Sequence, residues 1–318
     1  MTGTDNPRPI PVRQVYLFRK DISLGSVTDL AGTETIIDLH RTMDRYARYG
    51  VDLANTFRDG VFRKVLPTAE GPRLISIYTS NAGIQLDVTP HLDDLGPVKK
   101  AAEKLIGLSF PLAPFYQFTQ KDAVLAEITS RNPGFRPTLH VDPFEMIVSA
   151  ITAQQINLRF AFTTRSRLVR EFGEQLEMNG DIYYAFPAPE RLADVREEQF
   201  RELQFSGQKS RYICTLARSI TSGETDLQAI SRQDDDTVVK QLTALLGVGR
   251  WTADWFLARF LGRGDAIAAG DLAVKKSIER FYFNCEKVSE GEIRAFAARW
   301  GDYTNLAVHY LLTSHVAG

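Results

Sequence analysis

The stretch at residues 245–256, LLGVGRWTADWF, limits the architecture more than any other part of the chain. Its two glycines, Gly247 and Gly249, stand one residue apart between two segments of helical character. DDDTVVKQLTALL before them reads as a helix whose acids lie favourably near its N-terminus. RWTADWFLARFL after them reads as another. A Gly-x-Gly link leaves room only for a tight turn, so the pair is expected to form a helix–hairpin–helix over about residues 234–262. The glycines permit positive φ and let another backbone come close. The second helix starts with free N–H groups, and Arg250 adds a charge there, an arrangement suited to phosphate. On this stretch alone an ordinary helical hairpin with a glycine stop accounts for the pattern equally well.

The composition excludes several function classes. With 318 residues the chain is long enough for two domains with separate cores, and a net charge of -1 confines any polyanion site to a local patch. Cys214 and Cys285 fit neither a metal spacing nor a disulfide framework, which suits a reducing compartment. No apolar run reaches the length of a membrane span, and the polar, proline-rich start lacks the apolar stretch of a signal peptide. The expectation is a cytoplasmic monomer, nucleoid-associated if bacterial, with no membrane partner.

The chain changes character along its length. VYLF, GVFRKVL, RLISIYTS and IQLDVTP carry strand signals divided by Gly, Pro and Asn turns, with one helix near IIDLHRTMDRYARYG. From VKKAAEKLIGL the pattern is helical almost to the end. The expected fold is therefore α+β: a flexible tail at 1–14, an N-terminal antiparallel β-sheet/α domain at 15–115, and an all-α domain at 116–318. The boundary is placed where two prolines break SFPLAPFYQF.

Within the helical part, Asp142 should cap a helix with Pro143 in its first turn. A break is expected at QQIN, with Asn157 capping the next helix. Gln154 and Gln155 then lie at a helix–helix turn, where surface amides are the plainer explanation. Downstream, DAIAAGDLAVKK places Asp271 at an N-cap position, and capping alone would explain it. Its short, fixed distance from the hairpin would nevertheless bring its carboxylate near the helix of Trp251 and Trp255.

LLGVGRWTADWFLARFL followed by AIAAGDLAVKK resembles the helix–hairpin–helix DNA glycosylase superfamily. HVDPFEMIVSAITAQQIN and RWTADWF resemble its alkylation-repair branch, the 3-methyladenine DNA glycosylase II type, which carries an antiparallel sheet domain ahead of the helices. The resemblance implies that Asp271 is the catalytic aspartate and that Trp251, Trp255 and Tyr303 line the base pocket. It implies that Gly247, Gly249 and Arg250 hold the DNA backbone. Gln154 and Gln155 would enter the minor groove, Gln155 at the intercalating position. No cofactor is implied as required; carbonyls of Thr243, Leu245 and Val248 would hold a structural Na+ or K+. The implied partner is duplex DNA with damaged bases. Leu246 departs from the family's usual proline, and Gly301-Asp302-Tyr303 replaces a more aromatic, proline-containing segment.

The chemistry fits these residue types. A damaged base must be flipped out of the stack and the hole filled. An alkylated base is cationic and electron-poor, so indole and phenol faces attract it. A carboxylate beside the sugar stabilises the developing oxocarbenium charge and can orient water. Bifunctional relatives place a lysine nucleophile two residues after the second hairpin glycine; Trp251 stands there, which implies a monofunctional enzyme that leaves an abasic site. An iron–sulfur cluster needs four cysteines in a short C-terminal run, and only Cys285 lies there. The alternatives are an 8-oxoguanine-type glycosylase/lyase and a non-catalytic helix–hairpin–helix DNA-binding protein.

Overall fold

A computed structural model describes residues 14–17, 36–80, 83–178 and 180–315. Its N-terminal part is a five-stranded antiparallel sheet of order β1-β5-β4-β3-β2: β1 Gln14–Leu17, β2 Thr56–Arg58, β3 Val61–Leu66, β4 Arg73–Ser80 and β5 Gly83–Thr89. Alternation fixes the register, since pairing Ile75 with Val88 and Ile77 with Leu86 puts all four on one buried face. That face packs on Leu39, Met43 and Tyr46 and on Val98, Ala102 and Leu105 of the helix Gly96–Leu105. The proline-rich tail expected at 1–14 lies outside the described residues except for Gln14, which begins β1; Phe18 of VYLF also lies outside them.

Two hairpins depart from the expected outline. β2 joins β3 through Asp59 and Gly60, at φ 53° and 73°, the paired left-handed conformation of a type I′ turn. A second hairpin, β6 Gln175–Met178 with β7 Asp181–Tyr184, interrupts the part expected to be wholly helical. It packs Leu176 and Tyr183 on Val65 and Leu74, covering the sheet's other face. The expected boundary at 115/116 falls inside the helix Leu112–Thr119. Phe110, Leu112 and Phe115 already belong to the core of the C-terminal helices, so the change of domain comes a few residues earlier.

The helices form two lobes. One is built around Phe144, Ile147, Ile151, Leu168, Leu216, Leu242 and Phe256. The other gathers Phe115, Leu125, Val274, Ile278, Ile293, Trp300 and Leu311. The second hairpin helix, Arg250–Phe256, lies where they meet, and Trp255 packs on both cores. Its continuation widens into a π-helix, Leu257–Leu261. The Ala258 carbonyl accepts from Asn305 Nδ2 at 3.0 Å and the Arg259 carbonyl from His140 N–H at 2.8 Å. These outside donors compete with the ordinary helical ladder, which accounts for the wider turn.

Candidate active site

Asp271 stands between an apolar strip and a helix. Its N–H donates to the Ala268 carbonyl at 2.9 Å, and it caps the helix Leu272–Tyr282. Oδ1 accepts from the backbone N–H groups of Ala273 at 2.9 Å and Val274 at 3.2 Å. Oδ2 accepts from Trp251 Nε1 at 2.9 Å and Trp255 Nε1 at 3.3 Å. The two indoles lie at i and i+4, on one face of their helix, so both can reach one oxygen. Capping and site geometry are therefore combined in one carboxylate, whose two oxygens face different donors.

The aromatic wall comes from both lobes. Trp251 packs against the first core. Trp255 meets the His309 ring at 5.8 Å between centroids. Tyr303, at the end of the 3-10 turn Ala298–Tyr303, reaches the second core by way of Phe118 at 5.0 Å and Phe115 at 5.8 Å. His309 Nδ1 lies 2.9 Å from the Asn305 carbonyl oxygen, and burial pushes the ring's pKa down to about 4. It thus stands neutral at pH 7 behind Trp255. The three aromatics expected at the base pocket are all half-buried.

The hairpin glycines differ in what they require. Gly247 has φ 83°, and an added Cβ would overlap the Tyr212 ring. Gly249 does not use the positive φ that glycine permits: it lies at φ -95° and ψ 179° as the N-cap of Arg250–Phe256. A Cβ there would meet nothing in the protein. The Gly249 N-cap is exposed, leaving the helix N-terminus open to an approaching anion. Arg250 is more than half exposed, yet its Nε is committed to Asp254 Oδ1 at 2.8 Å.

A groove of about 540 Å³ runs from the hairpin to the turn at Gln154 and Gln155. Gln155 is exposed and held at φ 58°, a strained conformation for a non-glycine residue, costing on the order of 1 kcal/mol. Gln154 departs from the expectation that both amides reach outward, since its Nε2 donates to the Gly247 carbonyl at 3.0 Å. Lys209 Nζ donates to the carbonyls of Thr152 and Gln154 at 2.8 and 2.7 Å, terminating the helix Pro143–Ala153. The turn bearing Gln155 is thereby fastened to the hairpin. Thr243, Leu245 and Val248 line the same groove, and the Leu245 carbonyl accepts from Val248 N–H at 3.1 Å. Neutral carbonyl oxygens of these residues would suit an alkali cation better than a transition metal.

Sequence reasoning passed over Asp254, Arg294, Lys209 and Tyr212. Asp254 could have been found: it follows Arg250 at i+4, the spacing of a helical ion pair. Lys209 and Tyr212 come from a distant helix, Gly207–Thr221, and carry no local signal.

The model of the HhH-GPD superfamily base excision DNA repair protein family matches residues 148–302. The chain is similar to a DNA-3-methyladenine glycosylase of Bacillus subtilis (strain 168), 26% identical over 284 residues that cover 87% of this chain and 93% of that protein. Among solved structures it is similar to a 3-methyladenine DNA-glycosylase from Archaeoglobus fulgidus, with a TM-score of 0.80 and 25% identity over 88% of this chain and 96% of that one. It shares its fold with a Clostridium acetobutylicum 8-oxoguanine glycosylase/lyase in complex with double-stranded DNA, at a TM-score of 0.73 and 20% identity over 88% and 92% of the two chains. Among the described residues no helix is long and apolar enough to cross a membrane.

Proposed function

Through its helical domain the chain belongs to the HhH-GPD superfamily of base excision DNA repair proteins, and from that footing we propose that it releases alkylated purines from duplex DNA by hydrolysis, leaving an abasic site. The observation that carries this reading is the Asp271 carboxylate held by the indole N–H groups of Trp251 and Trp255 where the two lobes meet. Similarity to 3-methyladenine glycosylases over most of both chains supports the substrate class.

The residues divide the work. The open N-terminus at Gly249 and the free end of the Arg250 guanidinium grip the phosphate backbone, which supplies most of the nonspecific affinity. Carbonyls of Thr243, Leu245 and Val248 would hold a monovalent cation that adds charge at that grip. Gln155 enters the stack as the target base leaves it; unstacking costs a few kcal/mol, offset by the wedge and the phosphate contacts. The cationic base stacks on the Trp251, Trp255 and Tyr303 side chains. Asp271 stabilises the developing sugar cation and orients water onto it. With Trp251 where a lysine nucleophile would stand, no Schiff base forms. The enzyme acts as a monomer.

Base release from duplexes carrying 3-methyladenine, 7-methylguanine, hypoxanthine or 8-oxoguanine tests the proposal. The two methylated purines should be released, and the strand should stay whole until alkali is added. A borohydride-trapped enzyme–DNA adduct, or cleavage at 8-oxoguanine without alkali, would replace this reading with a glycosylase/lyase. Binding without release of any base would leave a DNA-binding protein.

A further inference from the structure

Asp254 is a buried carboxylate on the same helix as the two tryptophans, only 2% exposed. Oδ1 accepts from Arg250 Nε at 2.8 Å, and Oδ2 is paired with Arg294 Nη2. Arg294, on the helix Glu290–Ala297, also donates from Nη1 to the Ile267 carbonyl at 3.2 Å and from Nη2 to Glu290 Oε1 at 2.8 Å. Ile267 lies in the apolar strip that ends at Asp271, and the next carbonyl along, Ala268, accepts the Asp271 N–H. One guanidinium therefore bridges the tryptophan helix and the strand of chain that carries the aspartate.

We propose that Arg294 is a positioning residue that sets Asp271 against the tryptophan helix, and that Asp254 couples this setting to the backbone grip of Arg250. The inference rests on Asp271 being the catalytic carboxylate. The geometry explains why one bridge serves two purposes. The tryptophan helix packs mainly in one lobe and the aspartate helix in the other, with Trp255 touching both cores. The indole N–H bonds to Oδ2 hold the carboxylate only if both backbones keep their spacing. Arg294 is a planar fork, so it fixes direction as well as distance, which a lysine cannot do. Arg250, half exposed beside the open helix N-terminus, shares the buried carboxylate with Arg294. Phosphate binding at Arg250 thus loads the same bridge that spaces the site.

The test uses the full chain with Arg294→Ala and Arg294→Lys. Two readouts are taken: single-turnover release of 3-methyladenine beside affinity for a duplex holding a stable abasic-site analogue, and hydrogen exchange of the indole N–H groups in the free protein. Misplacement of a reacting group costs roughly 10- to 100-fold in rate, so both variants should lose release by about that much while affinity stays within a few-fold. The Trp251 and Trp255 indole N–H groups should exchange faster. Trp300, whose indole N–H donates to Asp122 at 3.4 Å, is the internal reference and should not change. Arg294→Lys still neutralises Asp254 and answers the question if the alanine variant does not fold. Parallel losses of rate and affinity, or unchanged exchange at Trp251 and Trp255, would overturn the proposal. A parent protein that releases no base removes the glycosylase reading instead, and indole exchange then decides the positioning claim by itself.

Discussion

Trp251 Nε1 and Asp271 Oδ2 lie 2.9 Å apart across 20 residues of chain. The relationship would give a tryptophan proposed to stack on the base a second duty, since its indole edge holds the carboxylate. It also divides the acceptor capacity of Asp271, with one oxygen facing two indoles and the other facing the first backbone N–H groups of its helix.

That division sets what Asp271→Asn should do. Asparagine has one acceptor oxygen, so its NH2 must face donors on one side or the other. Base release should be abolished, because a neutral amide does not stabilise a developing sugar cation. Affinity for an abasic-analogue duplex should stay within a few-fold or tighten, since a negative charge near phosphate is gone. Stability measured by urea unfolding should fall by about 1 kcal/mol, the usual size of one lost cap or side-chain hydrogen bond. Near-parental release would reduce Asp271 to a helix cap.

The helix starts around the candidate site were legible because capping chemistry is local. Asp142, Asn157 and Asp271 cap the helices they were expected to cap, with side-chain acceptors 2.6 to 3.2 Å from the first-turn N–H groups. Both overlooked hairpins also had a local signal, Asp59-Gly60 and Asn179-Gly180, each a favoured pair for a two-residue turn. Helical periodicity on both sides masked the second; at the first, the strand after the turn was legible and only its three-residue partner, Thr56–Arg58, was missed. Lys209 on the Gln154 carbonyl, Gln154 on the Gly247 carbonyl and Arg294 on Ile267 are another matter. They join segments from 27 to 93 residues apart, and no spacing pattern encodes such contacts.

The two hairpin glycines should separate folding from binding. Gly247→Ala puts a side chain at φ 83° against Tyr212, so it should lower the urea midpoint and weaken DNA binding together. Gly249→Ala meets no protein atom and has ordinary backbone angles, so the urea midpoint should stay put. Its affinity for undamaged duplex should fall, because the methyl stands where the phosphate approaches. Anisotropy titrations over a salt series beside urea melts measure both. Parental DNA affinity in Gly249→Ala, and in the double variant Gly249→Val/Arg250→Ala, would mean the hairpin is not the anchor.

His309 makes stability depend on pH. Its folded pKa, about 4, lies below the usual 6.5 because burial disfavours the charged ring. Between these values the unfolded chain binds the proton and the folded one does not, so stability rises with pH across that window. The contribution is fully present above pH 6.5 and is lost as pH falls toward 4; a shift of this size corresponds to about 3 kcal/mol at most. His140, half-buried and lowered in the same direction by desolvation and by nearby arginines, adds to the slope. Urea midpoints of the parent and of His309→Phe, taken at pH 7.5 and pH 4.5, should show the smaller drop in the variant. Equal drops would place the acid sensitivity elsewhere.

The charge preference of the pocket can be tested at Trp251, where stacking and carboxylate holding can be pulled apart. Trp251→Phe keeps a ring face but lacks the N–H that donates to Asp271, whereas Trp251→Ala lacks both. Losing the ring face removes a cation–π attraction of about 1–2 kcal/mol for a cationic base. A neutral base such as hypoxanthine loses only ordinary stacking. Release of 7-methylguanine should therefore suffer more than release of hypoxanthine in Trp251→Ala, by roughly 5- to 30-fold at that energy. In Trp251→Phe the two substrates should fall together, because the loosened carboxylate serves both. Single-turnover release rates for the two lesions in the parent and both variants measure the split. Equal losses for both lesions in Trp251→Ala would return that residue to a purely structural role, and a selective loss in Trp251→Phe would show that the indole edge, not its face, reads the charge.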